Sequence, residues 1–180
     1  MTKLLLDCCC GPCSTHCVDI LLSKYDIILY VSNFNVHPRS EYEKRLKTLI
    51  KFAKIKNLPL IIADYNPKKW FRAVRGHEKD KEGGKRCNIC FNFRLQLAAK
   101  EAIKNDCKNF TSTLSISPHK NSEKINEIGR KIGEEFDLNF LEKNFKKKNG
   151  FRKSVELSKK YELYRQNYCG CIFSKRKMEK

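Results

Sequence analysis

Leu4-Leu5-Leu6 is a short continuous apolar run that stops at Asp7-Cys8-Cys9-Cys10-Gly11-Pro12-Cys13, and this junction constrains the fold more than any other feature of the chain. A brief, wholly apolar run reads as a buried parallel strand, because both faces of such a strand are covered. Gly11 and Pro12 break the run. From Ser14 to about Lys24 the residues Cys17, Val18, Leu21 and Leu22 recur at helical spacing. The cysteines therefore occupy a strand-to-helix turn, with Ser14 as the expected helix cap. The unpaired amides and positive dipole end of such a helix favour thiolates or a bound anion.

The alternation continues along the chain. Asp26 to Ser32 reads as a second strand, followed by the loop Asn33 to Pro38 and a helix that a Ser40–Glu43 capping box would open, with Tyr42, Leu46, Leu49, Ile50 and Ala53 as its apolar stripe. Leu58 to Ala63 is strand-like and Lys68 to Val74 a short helix. Arg86 to Ile103 is a helix with Leu95, Ala98, Ala99, Ala102 and Ile103 on one face. Phe110 to Leu114 is a fourth strand, Ser122 to Glu134 a helix, and Asn139 to Leu141 a fifth strand. Strands separated by amphipathic helices imply right-handed βαβ units and an open, mainly parallel α/β sheet of Rossmann-like type, in which sites gather at the carboxyl ends of the strands. Asp7, Asn33, Asp64 and Ser115 lie near such ends.

At 180 residues the chain is expected to form one domain, 1–180, large enough to bury about 70% of the surface of its unfolded state without disulfides. No apolar run approaches the ~20 residues that span a bilayer. Met1-Thr2-Lys3 leads into a short strand rather than the apolar core of a signal peptide, so the expected location is the cytoplasm. In that reducing compartment clustered thiols bind metal or do redox work more often than they staple a fold. The formal net charge is +18, and residues 141–180 hold 13 basic against 4 acidic residues. Such an excess favours a polyanionic partner.

The ten cysteines fall mainly in three groups: the turn after the first strand, Cys87-x-x-Cys90, and Cys169-Gly170-Cys171. Cys9, Cys10, Cys87 and Cys90 supply the four soft ligands that either tetrahedral zinc or a four-iron, four-sulfur cluster requires. Adjacent side chains diverge, which a cluster with separate irons accepts more readily than one small zinc ion. Cys8 and Cys13 are open to ligating a second metal or to serving as spare thiols. Asp7 is equally a hard oxygen ligand or a buried carboxylate bonded to the turn. Cys17 and Cys107 are isolated and read as small apolar core groups. Cys169 and Cys171 are too close for an ordinary structural staple, so a dithiol that oxidises and is re-reduced fits them better than a fortuitous pair.

Tyr161, Tyr164 and Tyr168, interleaved with Arg165 and preceded by Lys146, Lys147, Lys148, Arg152 and Lys153, suit an unstacked RNA base and its phosphates, or equally a solvated helix face with core tyrosines. Gly83-Gly84-Lys85-Arg86 lacks the full P-loop pattern; its glycines allow the loop to deliver Cys87. His16, His37, His77 and His119 form no metal-binding pair. Asn35 and His37 are candidates for lining a pocket.

Taken together, Cys9-Cys10-Gly11-Pro12-Cys13, the loop from Asn33 through Pro38 to Glu41-Tyr42, Glu82 through Cys87-x-x-Cys90-Phe91, Thr111-Ser112-Thr113-Leu114 through Ser117-Pro118, and Gly150-Phe151 through Leu163-Tyr164-Arg165-Gln166-x-Tyr168-Cys169-Gly170-Cys171 resemble epoxyqueuosine reductases of the QueH type, in order over nearly the whole chain. The resemblance implies a sheet of the PP-loop type, over which the basic C-terminal segment closes. It implies a cobalamin-independent, two-electron deoxygenation that converts epoxyqueuosine to queuosine at the wobble position of tRNA. It further implies a four-iron, four-sulfur cluster on Cys9, Cys10, Cys87 and Cys90, an additional iron beside it, Cys169 and Cys171 as the redox-active disulfide, tRNA as macromolecular partner and a separate electron donor. Two other readings stand beside it. A tRNA sulfur-transfer enzyme of the PP-loop type would consume ATP, yet cysteines occupy the place of its pyrophosphate loop. A zinc-stabilised RNA-binding module would be colourless and hold one zinc.

Overall fold

The computed structural model describes residues 1–174; positions 175–180 of the basic C-terminal segment lie outside the described residues. Five strands, β1 (Thr2–Asp7), β2 (Tyr25–Val31), β3 (Leu60–Ile62), β4 (Asn109–Ser112) and β5 (Asn139–Phe140), form one parallel sheet in the order β3-β2-β1-β4-β5. The expected α/β architecture is what forms. Among the described residues six α-helices connect or follow the strands: α1 (Gly11–Leu21), α2 (Arg39–Lys56), α3 (Pro67–Ala73), α4 (Lys85–Lys104), α5 (Ser122–Phe136) and α6 (Gly150–Lys160).

The apolar run that opens the chain is the centre of the sheet. Leu4, Leu5 and Leu6 are fully buried, and because successive strand side chains alternate between faces, they feed two cores. Leu4 and Leu6 join Ile27, Leu29 and Val31 of β2 against Val18 of α1 and Leu49 and Phe52 of α2. Leu5 joins Tyr30 and Phe110 against Leu95 and Ala98 of α4 and Ile125 and Ile132 of α5. A third, smaller cluster gathers Phe34, Trp70 and Val74 with Cys171, and Cys90 and Cys169 pack against it.

Expected and observed elements differ at several edges: the third strand is shorter, Leu60–Ile62, and the fourth ends at Ser112, where Thr113–Ile116 turns into a 3-10 helix. Helix α1 starts at Gly11 rather than Ser14, because Pro12 falls in its first turn, where a missing N–H costs no hydrogen bond and the fixed φ suits the helix. Cys10, not Ser14, is its cap: the Cys10 Sγ accepts the Cys13 N–H at 3.4 Å. The capping box at the start of α2 is absent. Pro38 precedes the helix without a side-chain cap, and Glu43 turns instead to Arg39, 2.9 Å away. Helix α6 lies in a stretch with no apolar stripe. Its buried face is Gly150, Ser154 and Ser158, small residues one turn apart that let it pack closely, with the two serine hydroxyls turned back onto helix carbonyls.

Candidate metal centre and active site

The carboxyl ends of β1 and β4 meet at a buried polar knot. Asp7 stands opposite both Tyr30 and Ser112 in the sheet register. Its carboxylate accepts from Arg94 Nη2 at 2.7 Å and from Ser112 Oγ at 2.7 Å. Arg94, 2% exposed, also donates to Asn33 Oδ1, Asn35 Oδ1 and the Cys8 carbonyl. Burial works against the Arg94 cation, and the Asp7 carboxylate with the neighbouring Cys9 and Cys90 sulfurs outweighs it, holding the guanidinium above its ordinary value. Asp7 is thus a buried carboxylate, but its partners are Arg94 and Ser112 and not the turn that follows it. Asn33, in the left-handed region at φ 45°, donates to the Cys9 carbonyl at 3.0 Å and fixes the start of the thiol turn.

That turn brings the thiols of Cys9, Cys10 and Cys13 within 4.8 Å of one another, a group competent to hold a metal. Hydrogen bonding from Cys10 and then Cys13 pushes the Cys9 thiol well below its ordinary value. Burial drives Cys10 up to about 12. The Cys13 thiol is also raised, first through its contact with Cys10. The three thiols share their protons through these contacts, and a bound cation would be needed to hold all three as thiolates. Cys13, whose role was open, joins Cys9 and Cys10 here.

Cys87 and Cys90 lie one turn apart on α4, so both side chains face the same way. Together with Cys169 and Cys171 they line a cavity of about 240 Å³, whose wall also holds Trp70, Arg94 and Lys120. Arg94 ties the two thiol groups together electrostatically, since both Cys9 and Cys90 act on it. Asn35 lines the cavity, as anticipated; His37 instead packs between Trp70 and Phe71, with its Nε2 buried and unpartnered.

The direction of hydrogen bonding divides the cysteines. Cys8, Cys17 and Cys107 act as donors, to the carbonyls of Leu6, Cys13 and Asn105, which is how inert buried thiols behave. Five of the six sulfurs expected to do chemistry accept from other residues, and Cys9 and Cys10 also share a bond at 3.8 Å in which one of the two donates. Cys9 receives Thr113 Oγ1 at 3.5 Å, Cys10 receives Gln166 Nε2 at 2.9 Å, Cys87 receives the Gly83 N–H at 3.2 Å, Cys90 receives Trp70 Nε1 at 3.3 Å, and Cys169 receives Lys120 Nζ at 3.6 Å. Gly83, at φ 88°, thus turns its N–H onto Cys87, which is more than mere delivery of the cysteine. Sulfurs that accept from fixed donors are disposed to be thiolates or metal ligands, and such bonds tune the metal they hold.

The C-terminal segment reaches the cavity through α2. Arg45, 2% exposed and paired with Glu41 at 2.7 Å, donates to the carbonyls of Cys169 and Tyr168 at 2.9 and 3.1 Å. The His37 N–H donates to the Gly170 carbonyl at 2.8 Å, and Tyr168 Oη to the His37 carbonyl at 3.2 Å. Two of the tyrosines considered for base stacking therefore hold the segment down: Tyr168 lies under the Arg45 guanidinium, and Tyr164 donates to Glu41. Sequence reasoning passed over Arg45, Arg94, Lys120, Trp70 and Gln166. A signal was present for two of them: Arg45 falls in phase with Tyr42 and Leu49, and Arg94 with Ala98, so each is a charge on a buried stripe.

Among solved structures, the fold resembles a predicted subunit of tRNA methyltransferase from Methanocaldococcus jannaschii (TM-score 0.60, 15% identity, covering 88% of this chain and 75% of that one). It also resembles the U34-tRNA thiolase NcsA from Methanococcus maripaludis with its [4Fe-4S] cluster (TM-score 0.58, 13% identity, 96% and 61%). At these identities the likeness is one of fold. Sequence relatives are nearer. The epoxyqueuosine reductase QueH of Streptococcus pyogenes serotype M1 is 41% identical over 178 residues, 96% of this chain and 70% of its own. That of Staphylococcus aureus is 39% identical, covering 96% and 75%, and that of Thermotoga maritima 38%, covering 97% and 91%. The family described as epoxyqueuosine reductase QueH matches residues 4–177, and the chain belongs to that family.

Proposed function

We propose that this chain reduces epoxyqueuosine to queuosine at the wobble position of tRNA, using a four-iron, four-sulfur cluster on Cys9, Cys10, Cys87 and Cys90 and an electron-carrying pair, Cys169 and Cys171. The observation that carries the reading is the sorting of the thiols: five of the six sulfurs assigned to chemistry accept hydrogen bonds from five different parts of the chain, while Cys8, Cys17 and Cys107 donate to carbonyls. The donor set suits iron and sulfide, being soft sulfurs just after β1 and in the first turns of α4. Cys13 stands within the same trio as Cys9 and Cys10 and is a second claimant for a ligand position.

The reaction removes one oxygen and adds two electrons. Both C–O bonds of the epoxide break and a carbon–carbon double bond forms. The oxygen leaves as water with two protons, and the two thiols become a disulfide that an external donor must reduce again. When bound, the cluster supplies single-electron transfer close to the dithiol. The chain's own residues shape the site. Trp70 and Phe91 give the cavity apolar walls, Asn35, Asn88 and Asn121 offer amide groups to a polar base, and Arg86, Arg94 and Lys120 keep it electropositive. The overall charge of +18 favours the polyanionic tRNA. No helix among the described residues is long and apolar enough to cross a membrane.

Anaerobic loading with iron and sulfide, followed by a reductant and epoxyqueuosine-containing tRNA, should produce queuosine and a brown protein. A Cys87→Ala/Cys90→Ala protein should lose both the colour and turnover. Retained turnover in that variant removes the cluster assignment, and unimpaired multiple turnover by Cys169→Ser removes the dithiol.

A further inference from the structure

The two sulfurs of the C-terminal pair have different surroundings. Cys171 is 6% exposed and burial pushes its thiol up. Cys169 is half-buried at the cavity wall, with the Lys120 ammonium 3.6 Å from its Sγ. We propose that Lys120 is the positioning residue of the dithiol, its ammonium marking Cys169, and not Cys171, as the sulfur that exchanges electrons.

Lys120 is built for that place. It precedes α5 in a turn where its N–H donates to the Ser117 carbonyl, and its own carbonyl accepts from Lys146 Nζ at 2.6 Å. The next residue, Asn121, caps α5 through the N–H groups of Glu123 and Lys124. The backbone is pinned on both sides, which leaves the long side chain to run into the cavity. Burial there would lower the ammonium, and the nearby sulfur of Cys169, then Cys9, the Glu82 carboxylate and Cys90 outweigh it, so the group stays charged. A fixed cation beside one sulfur of a pair favours the thiolate on that sulfur. Lys124 and His119 also line the cavity, but Lys124 is paired with Glu127 at 2.8 Å.

This inference rests on the reading of Cys169 and Cys171 as the electron-carrying pair, and its test is separable from that reading. Iron-loaded, reduced protein is treated anaerobically with limiting iodoacetamide at pH 7, and the modified sulfur is located by peptide mass mapping. Cys169 should react about tenfold faster than Cys171, and Lys120→Met should slow Cys169 by about tenfold while leaving the Cys171 rate and the iron content unchanged. Lys120→Arg should restore most of the Cys169 rate, and Lys120→Gln repeats the measurement if the methionine variant does not fold. A Cys169 rate unaffected by loss of the cation overturns the proposal. Equal slowing in Lys120→Met and Lys120→Arg also overturns it, because that marks a packing role. If Cys169→Ser instead turns over repeatedly at the normal rate, the dithiol reading fails while the alkylation result stands.

Discussion

Cys9 and Cys10 are held by continuity with the sheet: they follow β1 directly, and Cys10 caps the helix that packs on the core. Cys169 and Cys171 sit in a segment, residues 161–174, that contains no helix or strand and whose carbonyls accept from the Arg45 side chain and the His37 backbone N–H. The first arrangement cannot move without unfolding the protein. The second has no helix or strand of its own and is held by those bonds and by the burial of Leu163 and Cys171. That difference suits the proposed roles, because a metal centre needs invariant geometry, whereas a pair that meets both a substrate and an external donor gains from local opening at low cost.

The contrast fails first, or holds, at Arg94. Arg94→Met leaves the fully buried Asp7 carboxylate without its counter-charge, with only Ser112 still donating to it, and the Asn33 and Asn35 amide oxygens without their donor. Breaking such a buried pair costs about 3–5 kcal/mol. Urea denaturation should show a fall of that size in a single cooperative transition, with loss of iron binding. A separate early transition would mean that the strand-end thiols are not part of the core.

Two glycines offer a matched comparison of smaller size. A Cβ on Gly11 would lie 2.7 Å from Thr48 Cγ2 and 2.8 Å from the Thr48 carbonyl oxygen, which belongs to the backbone of α2. A Cβ on Gly170 would lie 2.7 Å from Arg45 Nη1, the far end of a side chain, in a residue at φ +92°. Gly11→Ala should lower global stability by about 1–3 kcal/mol, as overpacking does. Gly170→Ala should change the urea midpoint little and instead speed proteolytic cleavage within 161–174, since the strain there is relieved by letting the segment go. Equal losses of global stability in the two variants would place the C-terminal segment in the same cooperative unit as the sheet.

What could be read from sequence follows the same division. Strand-to-helix alternation and apolar stripes specified the parallel sheet, because burial on both faces leaves continuous apolar runs and helices leave periodic ones. Helix α6 was not visible, since Gly150, Ser154 and Ser158 make a buried stripe without apolar residues. Spacing alone marked Cys87 and Cys90 as partners, but it could not bring Cys13 beside Cys9 and Cys10. That depends on where the helix starts, which Pro12 moved back by a turn. Long-range donors such as Gln166 to Cys10, or Lys120 to Cys169, carry no local pattern at all; they exist only once the sheet has formed.

The smallest expected effect concerns the joint between the two regions. Helix α6, which leads into the C-terminal segment, packs on α1 with Gly150 close against the His16 ring, where an added Cβ would lie 2.9 Å from Cδ2. Burial, and then the Lys153 ammonium, push the His16 imidazole below its ordinary value of 6.5, with Asp19 opposing. The folded state therefore takes up this proton less readily than the unfolded chain. The corresponding stability is fully present above pH 6.5 and is lost as the pH falls through 6.5 toward the lower folded value. Urea midpoints taken from pH 8 to 5.5 should fall more steeply for the native protein than for His16→Gln, which cannot titrate. Parallel profiles would show that the α1–α6 contact is indifferent to protonation. A steeper native profile accompanied by faster proteolysis of 161–174 at acid pH would show that the clamp on Cys169 and Cys171 depends on α6 staying docked, and not on Arg45 alone.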